Sequence, residues 1–233
     1  MKNAPHYTKK FGSLYRQIKS GHPAEPVVGA EPVTQMIVGF LEWNATRRAA
    51  RKAHEALMAN MVDTNEVRVS RPDELLEIIG RDYPQAEERI ERMHESLHEV
   101  FLREQVMSLE VVSRKSKKEI RHYLDTLPGM TPYVAAQMTL LCFDGHAVPV
   151  DDRLAEALRA AGAADAEATI EEIESFLERQ FKAGQGIEAH THLMAWVDAG
   201  SRRATAAAPR RVASVASRKP TRTKSAPKAS KKK

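Results

Sequence analysis

The residues best suited to chemistry fall in one stretch, Leu124 to Leu158, which reads LDTLPGMTPYVAAQMTLLCFDGHAVPVDDRLAEAL. Pro128 and Gly129 stop one helix there, and Gly129 can take a positive φ at little steric cost. Thr131 is suited to N-cap the next helix, with Pro132 at its first position. Pro128, Gly129, Met130 and Thr131 thus form a turn whose free N–H groups, at the positive end of a helix dipole, suit a phosphate oxygen. Beyond Gly145 the chain runs extended through His146 to Val150, and Asp151 or Asp152 caps a helix that ends near Gly162. Read alone, Asp151 is either a plain N-cap or a carboxylate offered to a ligand, and Tyr133 is either a packed helix residue or part of the same site. Asn44 reads first as a helix-break residue.

Other chemical side chains carry less. His190 and His192 stand two apart, on different faces of a helix, which argues against a metal pair. Cys142 is the only cysteine and lies in an apolar run, so a buried, inert thiol is expected. With one cysteine the chain cannot build an iron-sulfur cluster or a cysteine-ligated zinc site, and no cofactor is expected. Trp43 and Trp196 suit a core better than a stacking platform.

The scaffold around this stretch reads as all-α. Met36, Ile37, Phe40 and Leu41 share a face, and Ala49, Ala53, Leu57 and Met61 resume the helical spacing after a break at Asn44 and Thr46. Pro72 opens a short helix that Gly80 ends. From Pro84 the apolar positions Ile90, Met93, Leu97, Val100, Phe101 and Met107 step by three and four. Ser116 caps a helix through Ile120, Tyr123 and Leu124, and Thr169 with Glu172 makes a capping box before Ile173 and Leu177. A final amphipathic stretch carries Ile187, Leu193, Trp196 and Val197. No segment reads as a strand.

Composition divides the chain into three parts. Residues 1–31, broken by Pro23, Pro26 and Gly29, are expected to form a loosely ordered basic arm, with Phe11, Leu14, Tyr15 and Ile18 able to dock as a short helix. Residues 32–200 form the helical domain. Residues 201–233 hold twelve Lys or Arg and no acid, in an Ala/Ser/Thr/Pro setting that cannot bury enough apolar surface to fold. The net charge of +5 therefore comes from the tail alone, because the first 200 residues carry 24 basic against 31 acidic side chains. Such a tail suits salt-sensitive, sequence-independent attachment to a polyanion, whereas the acidic body argues against a broad nucleic-acid surface. No apolar run approaches the roughly 20 residues that span a bilayer, and the amino-terminal residues lack the apolar core of a secretory signal. The expectation is a cytoplasmic protein, nucleoid-associated if bacterial, without membrane contact.

These residues resemble the helix-hairpin-helix DNA glycosylases of the endonuclease III type. That family has a hairpin of the form LPGxGxxxA, followed some twenty residues on by a catalytic aspartate at a helix start. Leu127, Pro128, Gly129 and Ala135 match the hairpin, and Val150 and Asp151 match the aspartate segment. Asn44-Ala45-Thr46 resembles the family's Gln-Ala-Thr loop, and the likeness extends from about Glu31 to Asp198. The resemblance implies a two-lobed helical fold with the hairpin at about 117–143, a monomer, and double-stranded DNA as partner. It implies Asp151 as catalytic carboxylate, Tyr133 packed on base or sugar, backbone contacts from Pro128 to Thr131, and Asn44 filling the hole or touching the base. An extruded nucleotide would enter between the helical halves.

Departures from the pattern narrow the expected activity. Thr131 replaces the second hairpin glycine and Pro132 removes an N–H, which implies weaker phosphate binding. Where bifunctional members place the sugar-attacking lysine, this chain has Tyr133, as in the thymine-mismatch branch, and a phenol cannot form the Schiff base of strand cleavage. The cluster-binding cysteines are missing. The expectation is a monofunctional N-glycosylase for a damaged or mismatched base. The alternatives are a noncatalytic DNA-binding or chromosome-associated protein on the same fold, favoured by the altered hairpin and acidic body, and a helical protein-binding module.

Overall fold

The computed structural model describes residues 4–23 and 27–207, the side chains beyond 200 excepted, and every element of regular structure among them is a helix. The disordered tail expected from residue 201 lies outside the described residues from 208 onward. Before that point the last helix continues to Ala207, seven residues past the expected boundary.

Two hydrophobic cores make two lobes. The first is built by α2 (Pro32–Glu42), α3 (Arg47–Asn60), α4 (Thr64–Val69), α5 (Pro72–Ile79), α6 (Ala86–Glu104), α7 (Glu110–Ser113), α8 (Lys117–Asp125) and α9 (Pro132–Leu141). Met36, Ile37, Phe40, Leu57, Ile90, Met93, Leu97 and Leu124 fill it with no exposed surface. Each fully buried aliphatic of this kind contributes about 1.5–3 kcal/mol, which holds helices of weak intrinsic stability together. The short helices α4 and α7 had no signal in the apolar spacing.

The second lobe joins both ends of the described chain. α10 (Asp152–Ala160), α11 (Ile170–Glu178) and α12 (Gly186–Ala207) pack with α1, which spans Ala4–Gly21. The loose arm expected over residues 1–31 is therefore corrected: eighteen of its residues are helix. Phe11 and Ile18, seven positions apart, are buried on one face, and the Phe11 ring meets Phe176 and Phe181 edge to face. Burial of that face outweighs the turn-forming Pro and Gly residues that follow it.

Caps set the helix boundaries at the places the sequence marks. Ser116 and Thr169 both close reciprocal boxes with the glutamate three residues on. Arg89, fully buried in α6, donates to the carbonyls of Phe40, Trp43 and Pro84. It satisfies the free carbonyls at the end of α2 and so fixes the start of the loop that carries Asn44. Among the described residues no helix is long and apolar enough to cross a membrane.

Candidate active site

The turn between α8 and α9 is built as a tight corner against α6. Gly129 has φ 73°, and a Cβ there would stand 2.3 Å from the carbonyl oxygen of Arg92. Glycine is required twice over, by the left-handed backbone and by the close approach. Ser96 donates from Oγ to the Pro128 carbonyl at 2.7 Å and pins the turn from the same side. The Met130 amide bonds back to Leu127 at 3.2 Å, and the Thr131 hydroxyl accepts from the Val134 amide at 3.2 Å. Pro128 and Pro132 are exposed, Gly129 and Met130 half-buried, and Thr131 buried.

Acidic groups crowd one side of this turn. Met130 and Pro132 share a cleft of about 570 Å³ with Arg121, Asp125, Glu171, Glu174 and Glu178. Burial pushes the Glu174 carboxyl up to about 7 against the pull of Arg121, and Glu178, Asp125 and Glu171 add to the rise. Arg121 is already held by Asp125 at 3.0 Å and by Glu174 at 3.7 Å. A phosphate arriving at the hairpin meets this field as well as the helix dipole.

The extended segment after α9 places Asp151 at the seam of the lobes. Val148 and Val150 pack into the second core, while Ala147 packs with Ala136 and Leu140 of α9. Asp151 is then the N-cap of α10, with Oδ1 accepting from the Leu154 amide at 2.8 Å. It is only 1% exposed, and Oδ2 has no hydrogen-bond partner of ordinary geometry. Burial raises the Asp151 pKa above the usual carboxylate value, opposed by the Leu154 amide, Arg153 and the Asn44 backbone amide. The second carboxyl oxygen, buried beside the Asn44 backbone, takes no part in the cap itself.

Tyr133 approaches Asp151 from the first turn of α9. It is 2% exposed, and burial, then Glu42 and Asp151, push its phenol well above the usual range. Both carboxylates are thus near neighbours, and the group stays a phenol at any working pH. Gln137, one turn along, donates to the Tyr133 hydroxyl at 3.4 Å and to Glu42 Oε2 at 2.5 Å. The His190 ring of α12 lies with its centroid 6.5 Å from that of Tyr133. Burial holds His190 neutral, down to about 3, and neither of its ring nitrogens is bonded.

The loop between α2 and α3 closes over the seam. Asn44, at φ 55°, donates to Asp152 Oδ2 at 2.6 Å and accepts from the Asp152 amide at 3.0 Å, and it also donates to Gln85 at 3.1 Å. Arg153 donates to the Ala45 carbonyl and pairs with Asp198 at 2.6 Å, and Asp198 also accepts from the Arg47 amide at 3.2 Å. Beside this strap lies a cleft of about 550 Å³ along α2 and α3, lined by Val38, Glu42, Arg47, Arg48 and His54 among others, with Asp198 of α12 at its edge.

The structure brings Asp151 and Tyr133 together, bonds Asn44 to Asp152 one residue from Asp151, and keeps Pro128 to Thr131 in the turn between α8 and α9. Sequence reasoning missed Glu42, Gln35, Gln137 and His190. Gln137 carried a usable signal, a long amide inside the apolar run from Val134 to Leu141. A buried polar residue in such a run needs a partner, and here it has three: Tyr133, Glu42 and Gln35, the last donating to Gln137 Oε1 at 3.2 Å.

No family model matches the sequence, and no curated protein matches it. Solved structures do. Endonuclease III, trapped as a covalent intermediate with DNA, matches with TM-score 0.62 at 15% identity, over 80% of this chain and 84% of that one. The Clostridium acetobutylicum 8-oxoguanine glycosylase/lyase in complex with double-stranded DNA matches with TM-score 0.63 at 13% identity, over 86% and 71%. A thermostable thymine-DNA glycosylase matches with TM-score 0.55 at 15% identity, over 82% and 87%. The chain has the all-α, two-lobed helix-hairpin-helix DNA glycosylase fold.

Proposed function

We propose that this chain is a base-excision-repair N-glycosylase that hydrolyses the bond between a damaged or mismatched base and its sugar in double-stranded DNA, without cutting the strand. The observation that carries the reading is the approach of two buried side chains at the lobe seam, Tyr133 and Asp151, the latter with Oδ2 outside its N-cap bond. Breaking an N-glycosidic bond develops positive charge on the sugar, and a fixed carboxylate beside C1′ stabilises it and orients the attacking water. Tyr133 packs on the sugar or base and offers no amine, so no Schiff base forms and the abasic strand stays intact. Since Asp151 is occluded, the nucleotide must leave the stack and the strap around Asn44 must part to admit it. The three matched glycosylases support the reaction class.

The test is release of base from duplexes holding uracil, guanine-opposed thymine or alkylated purines, followed by alkaline cleavage of the abasic product. Product is expected with the native chain and none above background with Asp151→Asn. Equal activity of that variant, or no product on any substrate, overturns the reading.

A second reading has its own observation: Glu171, Glu174 and Glu178 beside the hairpin oppose a phosphate there, as in a fold that binds DNA without catalysis. If a chain ending at Gly200 loses all DNA binding and the whole chain releases no base, this second reading holds.

A further inference from the structure

The first 200 residues carry a net negative charge, yet four of their 24 Lys and Arg fall within residues 114–118, as Arg114, Lys115, Lys117 and Lys118. Lys117 and Lys118 open α8, and Lys115 precedes its cap, Ser116. Cations at that end oppose the helix dipole, so the cluster weakens the helix it begins. Two of the four are occupied: Arg114 pairs with Glu110 at 2.5 Å, and Lys117 donates to the Phe143 carbonyl. Lys115 and Lys118 are exposed, and among the described residues their ammonium groups make no hydrogen bond or ion pair.

Both line a cleft of about 590 Å³ that runs along α8 with Arg103, His122, Tyr123 and Thr126. Arg103 forms its far wall, bonded to Glu99 at 2.7 Å, to Thr126 Oγ1 at 3.0 Å and to the Thr126 carbonyl at 2.8 Å, with its guanidinium 5.2 Å from the centre of the Tyr123 ring. Of the acids at hand, Glu99 is thus held by Arg103, and Glu104 stands beside Tyr123. Glu119 also lines the cleft, but its carboxylate is turned back to accept from the Ser116 amide at 3.0 Å and hydroxyl at 2.6 Å. The two unengaged lysines therefore set the sign of the cleft.

Resting on the glycosylase reading for its duplex, we propose that this cleft is a second backbone site, where Lys115 and Lys118 take phosphates of the DNA strand that continues beyond the hairpin. A nucleic acid fits better than an acidic peptide because the cleft ends at the hairpin itself: Thr126 in its lining immediately precedes Leu127. The nine residues of α8 span about 13 Å at roughly 1.5 Å per residue. One strand of a duplex presents about four phosphates over that length, at one charge per ~3.4 Å of axis. On the other flank of α8, Arg121 and Asp125 line the cleft that holds Glu171, Glu174 and Glu178. A strand leaving the turn is repelled on that flank and attracted on this one, which sets the side of the hairpin toward which the DNA runs.

The experiment measures binding of the full chain to a duplex with a central, nonhydrolysable abasic analogue, so that affinity is read apart from base release. Lys115→Gln/Lys118→Gln is compared with Lys9→Gln/Lys10→Gln, which removes the same charge from exposed positions of α1. The first pair is expected to bind about ten-fold more weakly at about 100 mM salt, with the slope of log affinity against log salt shallower by about 1.8, or 0.9 for each of two phosphates. The second pair is expected to keep the native slope. Shortening the duplex from one end weakens the native chain sooner than shortening it from the other, and Lys115→Gln/Lys118→Gln abolishes that difference. Equal losses in the two double variants, or a native chain indifferent to which end is shortened, overturn the site. Unchanged DNA binding with lost binding of polyglutamate assigns the cleft to an acidic protein and overturns it as well. Failure of the native chain to release any base overturns the glycosylase reading alone, because the duplex contacts are measured without it.

Discussion

Asn44 and Asp152 hold the two lobes together with a pair of hydrogen bonds running in opposite senses, Asn44 Nδ2 to Asp152 Oδ2 at 2.6 Å and the Asp152 amide to Asn44 Oδ1 at 3.0 Å. The pair caps the first turn of α10 from outside its own lobe, one residue from Asp151. Asn is suited to it because it tolerates the left-handed backbone at φ 55° and offers both a donor and an acceptor.

Replacing Asn44 by Gly keeps that backbone and deletes both bonds. The variant is expected to lose about 1–2 kcal/mol in chemical denaturation, with faster hydrogen exchange at the Asp152 and Leu154 amides. Asn44→Ala adds backbone strain and is expected to lose more. If Asn44→Gly exchanges at the native rate, the lobes are not latched at this point.

Gly129→Ala tests the hairpin corner. Its Cβ would meet the Arg92 carbonyl at 2.3 Å with the backbone at φ 73°, so a cost of about 1–3 kcal/mol or more is expected. Binding of duplex DNA by a chain ending at Gly200 is expected to weaken in parallel. Native stability and binding in this variant would mean that the turn relaxes freely and does not define the phosphate contact.

The paired helices around this corner were legible because their ends are written in capping residues: Ser116, Thr131 and Thr169 cap where the sequence placed them, and of the two aspartates offered for α10 it is Asp151 that caps. α1 was legible only as a short helix on Phe11, Leu14, Tyr15 and Ile18 and not at its full eighteen residues, since its partners, Phe176 and Phe181, lie far along the chain. The site divides the same way. Asp151 and Tyr133 follow from local spacing, whereas Glu42, Gln35 and His190 reach them only through packing, Gln35 across 102 residues to Gln137. A half-buried glutamate at the end of an apolar helix looks like a solvated C-terminus until its partners are known.

The raised pKa of Asp151 makes a stability prediction with a definite sign. A carboxyl whose folded pKa lies above its unfolded value binds protons more readily when folded. Its contribution is full below the unfolded pKa and is lost as pH rises through the folded one. Asp151→Asn keeps the acceptor for the Leu154 amide without the buried charge. It is expected to be more stable than the native chain at pH 7, by about 0.5–2 kcal/mol, with the gap closing toward pH 4. A variant less stable at pH 7 would show that the carboxylate is paired rather than held in reserve.

Tyr133→Lys asks whether position 133 faces the sugar. The new amine would sit where the phenol now feels both Glu42 and Asp151, whose charges keep an ammonium protonated. Only the neutral amine attacks an aldehyde, so Schiff-base formation with an abasic duplex should rise with pH. A covalent complex trapped by borohydride is expected for this variant and absent from the native chain. Because the reaction needs the amine within bonding distance of C1′, its appearance locates Tyr133 against the sugar whatever base is removed. A folded Tyr133→Lys chain that binds abasic DNA without ever being trapped would place the tyrosine elsewhere, and with it the approach of the sugar to Asp151.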